Sequence, residues 1–208
     1  MVTLDIFADP VCPWCLIGKV ELDRALESRP NHPFQIAWQP FRLDPHLPPG
    51  GVDRVGHLRA KMGDRAEAAS RIVAERAALL GLALDPSAWR SDTTDAHRLL
   101  HWAGLEGAQT RVMSGLLRAY WLEARDIGNA SELIRIAGAA GMDTDLVTRL
   151  LEGDSDRDTV LAREQHARDR GIDSVPTFIV ADRHVVTGAQ PASLWQRVID
   201  ELADQPTN

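Results

Sequence analysis

Hydrophobic alternation of the kind that predicts β-strands stands at the two ends of this 208-residue chain, far apart in sequence. Residues 2–8 and 34–38 alternate near the start, and residues 177–180 and 184–187 alternate near the end. Residues 52–170 are instead rich in Ala, Leu, Arg and Glu and carry helical signals. Neither end has enough apolar strand surface to be stable alone, so the two ends are expected to combine into one sheet.

Proline and turn signals give the helix boundaries at both ends. A helical pattern begins at Pro13 and ends before Pro30, whose ring cannot continue a helix. A final helix is predicted from near Pro191 to Leu202, after a strand hairpin. The predicted order is therefore βαβ, a helical block, and ββα.

The helical block has room for five or six helices. Asn129 with Glu132 is typical of a capping box, and Ser155 with Asp158 indicates a second helix start. Gly171 occupies the position where a glycine ends the last of these helices.

The stretch 42–51 is so rich in proline and glycine that it indicates a domain junction. We predict an α/β fold in which residues 1–50 and 171–208 form one domain. Residues 51–170 are predicted to form an all-helical domain inserted into it.

The chain has two cysteines, Cys12 and Cys15, which enclose Pro13 and Trp14 where the first strand meets the first helix. They are too few and too close together to stabilise a fold of this size by cross-linking, so their role is predicted to be chemical. A thiolate is the nucleophile of disulfide exchange, and the N–H groups of a helix N-terminus stabilise its charge. Cys12 is therefore the predicted nucleophile and Cys15 the resolving thiol. Pro13 suits a first helical turn, and Trp14 offers substrates an apolar surface.

A zinc site and a pair of inert core cysteines are the two alternatives to a redox role for these thiols. A structural zinc site needs two further soft ligands, and the sequence has no third cysteine. An inert pair is conceivable, since free cysteine is commonly buried. The placement of both cysteines around Pro-Trp at a strand-to-helix junction disfavours an inert pair, and no metal is predicted.

Val175-Pro176 comes directly before a predicted strand, after the long helical block. A cis bond is consistent with this position, although a proline before a strand can also simply mark where the strand begins. The pairing of this proline with an N-terminal Cys-X-X-Cys motif favours the cis form.

Five segments together resemble the DsbA-like FrnE family of thioredoxin-fold oxidoreductases: 9–15 (DPVCPWC), 17–19 (IGK), 96–99 (AHRL), 175–178 (VPTF) and 188–191 (GAQP). The resemblance spans nearly the whole chain. It implies a thioredoxin-like fold with an inserted helical domain, in which Cys12 attacks, Cys15 resolves and Pro176 is a cis-proline facing them. It also implies that His97 faces the active-site cleft and binds a partner or assists proton movement there.

The predicted function is thiol–disulfide exchange with protein or small-thiol partners through a mixed disulfide, with no cofactor beyond the cysteines. The 2-hydroxychromene-2-carboxylate isomerases and kappa-class glutathione transferases resemble this chain in fold, but typically carry serine where Cys12 stands. A glutathione-dependent isomerase or transferase is therefore the first alternative, with glutathione as co-substrate. The second alternative is a non-enzymatic, redox-sensing interaction protein.

Charge and hydropathy restrict the partners further. The net charge is −7 and the sequence has no run of Lys or Arg, so nucleic-acid binding is disfavoured. No apolar stretch approaches the roughly 20 residues that a membrane helix needs. The first residues have no signal-peptide pattern, and a cytoplasmic location is expected.

The remaining candidates are histidines and carboxylates. His97 and His101 lie four residues apart on one predicted helix face, but Arg98 stands where a zinc protease carries its glutamate. For His101 an ordinary position on a helix face is favoured. Asp5 and Asp9 flank the cysteine motif, and one of them is a candidate proton relay to Cys15, although a solvated carboxylate is the more common role.

Overall fold

The computed structural model describes residues 1–204. Their helices and strands follow one another in this order: β1 (Val2–Ala8), α1 (Pro13–Ser28), β2 (Phe34–Pro40), β3 (Val52–Asp53), α2 (Arg54–Met62), α3 (Arg65–Leu79), β4 (Trp89–Arg90), α4 (Thr94–Leu105), α5 (Gln109–Leu122), α6 (Ala130–Ala139), α7 (Thr144–Glu152), α8 (Arg157–Asp169), β5 (Thr177–Val180), β6 (His184–Thr187) and α9 (Ala192–Ala203).

The two ends of the chain form one mixed sheet with the strand order β2-β1-β5-β6. β1 runs parallel to β2 and antiparallel to β5, and β5 pairs antiparallel with β6. Helix α9 covers one face, where the rings of Phe178 and Trp195 lie 4.6 Å apart. The prediction that both ends combine into a single sheet is confirmed.

The helical block contacts the sheet through β2. The backbone N–H of Trp38 donates to the side-chain oxygen of Gln109, 2.8 Å away. The Trp38 indole N–H donates to the Thr110 hydroxyl at 3.1 Å. On the loop after β2, the Arg42 guanidinium lies 2.6 Å from the buried Glu164 carboxylate of α8. These polar contacts anchor α5 and α8, so the block has a defined position against the strand that neighbours β1.

The prediction of five or six helices in the block is wrong. Within the described residues the block contains seven, α2 to α8, and also the short strands β3 and β4. Gly63, with φ of 58°, separates α2 from α3 in a segment whose composition is helical throughout. A pair of two-residue strands is too short to show a period in the sequence. The division at residues 50 and 170 stays a prediction.

The predicted helix ends are partly confirmed. Asn129 caps α6 by accepting from the backbone N–H of Ser131 at 2.9 Å, and Gly171, with φ of 85°, follows the end of α8. A helix does begin at the Ser155 start signal, but the N-cap residue of α8 is Asp156, one position later. The carbonyl of Ser155 instead accepts from the buried guanidinium of Arg98 at 2.7 Å.

Candidate active site

Cys12 is the N-cap residue of α1, with extended backbone angles of φ −89° and ψ 121°. Its N–H donates to the Asp9 carbonyl at 2.9 Å, and its own carbonyl accepts from the N–H of Cys15 at 3.1 Å. Pro13 occupies the first helical turn, where its missing N–H costs no helical hydrogen bond. The sulfur of Cys12 therefore lies at the end of α1 that favours a negative charge.

The two thiols are free and differ strongly in acidity. A hydrogen bond from Cys15 lowers the pKa of Cys12, against the opposing effect of burial. Burial raises the pKa of Cys15 well above its ordinary value. Exposure does not separate them, because Cys12 is 3% exposed and Cys15 is 1% exposed. The two thiols therefore differ in acidity and hardly at all in exposure.

The Val175–Pro176 segment lies beside Cys12, although 163 residues separate Val175 from it in sequence. The bond between Val175 and Pro176 is cis. The Cys12 thiol donates to the Val175 carbonyl at 3.6 Å. A Cβ atom at Gly18 of α1 would lie 3.1 Å from Cγ of Pro176, so the missing side chain of Gly18 allows α1 and this loop to pack closely.

Trp14 presents an apolar surface next to the buried cysteines. Its side chain is 37% exposed, and Pro13 beside it is partly exposed. Tryptophan is enriched at the contact surfaces of proteins, so a partly exposed ring beside the thiols is suited to contact a substrate.

Asp9 is the first residue of the loop 9–12, named here the cysteine loop, and His97 lies behind it. Asp9 is buried, its carboxylate accepts from the Leu43 N–H at 2.8 Å, and its charge raises the pKa of both thiols. Nε2 of His97 is 3.9 Å from the Asp9 carboxylate, and burial lowers the pKa of this histidine. His97 is only 2% exposed, which differs from the expectation that it lines an open cleft.

The other flanking residues face elsewhere. Asp5 accepts from the Gln39 amide at 2.5 Å, and His101 contacts Arg163 at 3.2 Å. A cavity of about 510 Å³ lies between α8 and the sheet, with Phe7 and Ile179 among its lining residues. The cysteines do not line this cavity. Because the thiols carry the chemistry, the candidate site is at Cys12. Within residues 1–204, no group of three or more metal-ligating side chains is close enough to hold a metal ion.

Two residues of the helical block reach the cysteine loop, and no motif in the sequence indicates either. The Trp121 indole N–H donates to the Pro10 carbonyl at 3.0 Å. The Arg90 guanidinium donates to the Val11 carbonyl at 2.6 Å. Both contacts end on backbone atoms, which leave no signature in the sequence of the loop.

A family model described as a DSBA-like thioredoxin domain matches residues 3–200. The chain belongs to this family. The DsbA-like resemblance and the thioredoxin-like fold, predicted from the motifs and the segment order, are therefore confirmed. Proteins of the DsbA-like family are thiol–disulfide oxidoreductases that act on thiol or disulfide substrates.

Relatives of this DsbA-like chain match it over nearly its whole length. The uncharacterized protein YwbO of Bacillus subtilis is 25% identical over 203 residues, which is 96% of each chain. The structure of a probable DsbA oxidoreductase from Streptomyces coelicolor is similar with a TM-score of 0.87 and 27% identity, covering 100% of this chain and 92% of that one. A 2-hydroxychromene-2-carboxylate isomerase is similar with a TM-score of 0.74 and 13% identity, covering 97% of this chain and 96% of that one. This last likeness shows the fold alone.

None of the helices within residues 1–204 is long and apolar enough to cross a membrane.

Proposed function

We propose that this DsbA-like protein catalyses thiol–disulfide exchange through Cys12 and Cys15. The Cys12 thiolate attacks one sulfur of a substrate disulfide, and the other substrate sulfur leaves as a thiolate. Cys15 then loses its proton and attacks the Cys12 sulfur, which forms the Cys12–Cys15 disulfide and releases the substrate as a dithiol. The opposed pKa shifts of two adjacent thiols at one helix N-terminus are the observation that carries the proposal.

The substrate would bind to the surface around Cys12. Trp14 and Pro13 offer an apolar contact, and the backbone of Val175 is close enough to Cys12 to meet a substrate chain held there. Pro176 packs against Gly18 and fixes the position of this segment. His97 is buried, so we leave it out of the proposed docking surface.

The proposed partners are protein disulfides and small thiols, with glutathione as a co-substrate that reduces the Cys12–Cys15 disulfide. The proposal needs no other cofactor. It includes a cytoplasmic location, where the glutathione pool would keep the pair reduced at rest. Cell fractionation with an antibody against the protein tests the location separately from the chemistry.

The alternative of a glutathione-dependent isomerase or transferase rests on the fold that this chain shares with 2-hydroxychromene-2-carboxylate isomerase. Such an enzyme uses the position of Cys12 to bind or activate glutathione and does not need a second thiol there. The free thiol of Cys15, 1% exposed and hydrogen-bonded to Cys12, favours dithiol exchange instead.

Equilibration of the protein in buffers of varied reduced and oxidised glutathione tests the proposal. After acid quenching and alkylation, mass spectrometry should show an internal Cys12–Cys15 disulfide whose fraction follows the buffer potential. Insulin reduction should require both cysteines. Glutathione conjugation or isomerisation that survives the Cys15→Ala change, without any internal disulfide, would support the alternative. Redox-dependent partner capture without insulin reduction would support the interaction protein.

A further inference from the structure

The cysteine loop, residues 9–12, has all four of its backbone carbonyls hydrogen-bonded. The Asp9 carbonyl accepts from the Cys12 N–H, and the Cys12 carbonyl accepts from Cys15. The other two carbonyls, those of Pro10 and Val11, accept from side chains of the helical block. The position of the nucleophile therefore depends on residues outside the sheet domain.

Arg90 is held firmly where it meets this loop. Arg90 is 5% exposed and lies in β4, where it pairs with Val52 of β3. Its guanidinium donates to the Val11 carbonyl at 2.6 Å and to the Asp44 carboxylate at 2.7 Å. A planar guanidinium can bond in two directions with fixed geometry, which a lysine ammonium cannot reproduce. Asp44 in turn contacts Lys61 at 2.5 Å.

Trp121 makes the second contact from the last turn of α5. Its ring is buried and packs edge-on against Tyr120, with ring centroids 5.1 Å apart. This packing leaves the indole N–H directed at the Pro10 carbonyl, 3.0 Å away. A buried indole N–H without a partner is costly, so this bond fixes both the ring and the loop.

We propose that Arg90 and Trp121 are positioning residues for Cys12, through which the helical block controls the reactivity of the nucleophile. The proposal rests on the proposed thiol–disulfide exchange. If either bond is lost, the peptide groups before Cys12 can rotate, and the Cys12 N–H then no longer points at the Asp9 carbonyl. The sulfur consequently moves relative to the N–H groups of α1 and to Cys15, which stabilise its anion.

The test compares Arg90→Lys and Trp121→Phe with a matched control, Arg98→Lys. Arg98 is also a fully buried arginine of the helical block, and it also donates to backbone carbonyls, those of Leu150, Gly153 and Ser155. These carbonyls belong to the end of α7 and to the segment that joins it to α8, not to the cysteine loop. All three variants are expected to lose stability in urea unfolding.

The decisive readouts are the thiolate absorbance of Cys12 and its alkylation rate, both measured against pH. Arg90→Lys and Trp121→Phe should lower the acid dissociation constant of Cys12 roughly three- to tenfold, so both profiles should move to higher pH. Arg98→Lys should leave both unchanged. Trp121→Phe keeps an aromatic ring in the core and removes the indole N–H, so this variant still tests the proposal if Arg90→Lys does not fold.

Two results would overturn the positioning role. One is a Cys12 titration in Arg90→Lys and Trp121→Phe that matches the unmodified protein. The other is an equal shift in Arg98→Lys, which would indicate general loosening. If the unmodified protein forms no internal disulfide in glutathione buffers, the proposed function fails instead, and this outcome is distinguishable because it needs no variant.

Discussion

Asp44→Asn tests the ion cluster that holds Arg90 in place. The Asp44 side chain is 9% exposed and lies 2.6 Å from Arg90 and 2.5 Å from Lys61. Burial alone would raise the pKa of this carboxyl, but the hydrogen bond from Lys61 and the charge of Arg90 outweigh burial and lower it from 3.8 to about 2. Asparagine keeps an oxygen acceptor in the same place and removes the charge.

The pKa of Asp44 gives the size and the sign of the effect. The folded value of about 2 lies below the unfolded value of 3.8, and at about 1.36 kcal/mol for each pKa unit this difference stabilises the folded state by roughly 2 kcal/mol at pH 7. A lowered pKa stabilises the fold above pH 3.8, and the stabilisation is lost as the pH falls towards 2. At pH 3 roughly half of this stabilisation should remain. The interaction with buried Arg90 is already part of this free energy, because it is one of the causes that lower the pKa of Asp44.

Urea unfolding of both proteins at pH 7 and pH 3 measures this difference. Asp44→Asn should lower the unfolding free energy at pH 7 by about 2 kcal/mol, and the difference between the two proteins should narrow by about 1 kcal/mol at pH 3. The control is Asp154→Asn, which removes an ion pair with Arg157 in which the Asp154 side chain is 85% exposed. This control should match the unmodified protein at both pH values. A gap that is the same at pH 7 and pH 3 would refute the reasoning.

Three further predictions concern the site itself. Iodoacetamide at pH 7 should modify Cys12 before Cys15, because the Cys12 pKa is lowered and the Cys15 pKa is raised; peptide mapping that finds Cys15 modified first would contradict this. His97 has a lowered pKa because it is buried, so the unfolding free energy should fall as the pH drops below 6.5, and His97→Asn should flatten this slope between pH 7 and pH 5. An unchanged slope in urea titrations would show that another group titrates. Gly18→Ala should slow insulin reduction, because its Cβ would lie 3.1 Å from Cγ of Pro176 and displace that loop; an unchanged rate would show that the loop yields without cost.

Local patterns in the sequence are sufficient to predict the sheet and the position of the thiol pair. Alternation identifies the strands at each end, and the need to bury them predicts that they join. The spacing of Cys12 and Cys15 at a strand-to-helix junction indicates their placement at a helix N-terminus. Gly171 marks a helix end because few other residues adopt a positive φ easily.

The contacts that hold the loop could not be predicted in this way. Arg90 and Trp121 lie 79 and 111 residues from the loop residues whose carbonyls they contact. A carbonyl acceptor is present at every residue, so no residue type in the loop signals these bonds. The sequence pattern places His97 on a helix, as the structure does, but helical periodicity does not show which neighbour buries a face. Its burial behind Asp9 depends on how α4 packs against the cysteine loop.

The most direct test of the central claim is a trapping experiment with Cys15→Ser and Cys12→Ser. Each reduced variant is incubated with oxidised glutathione or insulin, quenched in acid and analysed by non-reducing mass spectrometry. The account predicts that Cys15→Ser accumulates a mixed disulfide at Cys12, because attack occurs and no thiol resolves the product. Cys12→Ser should form little or none, since burial raises the pKa of Cys15 well above its ordinary value. A mixed disulfide that forms as fast at Cys15 in Cys12→Ser would contradict the account.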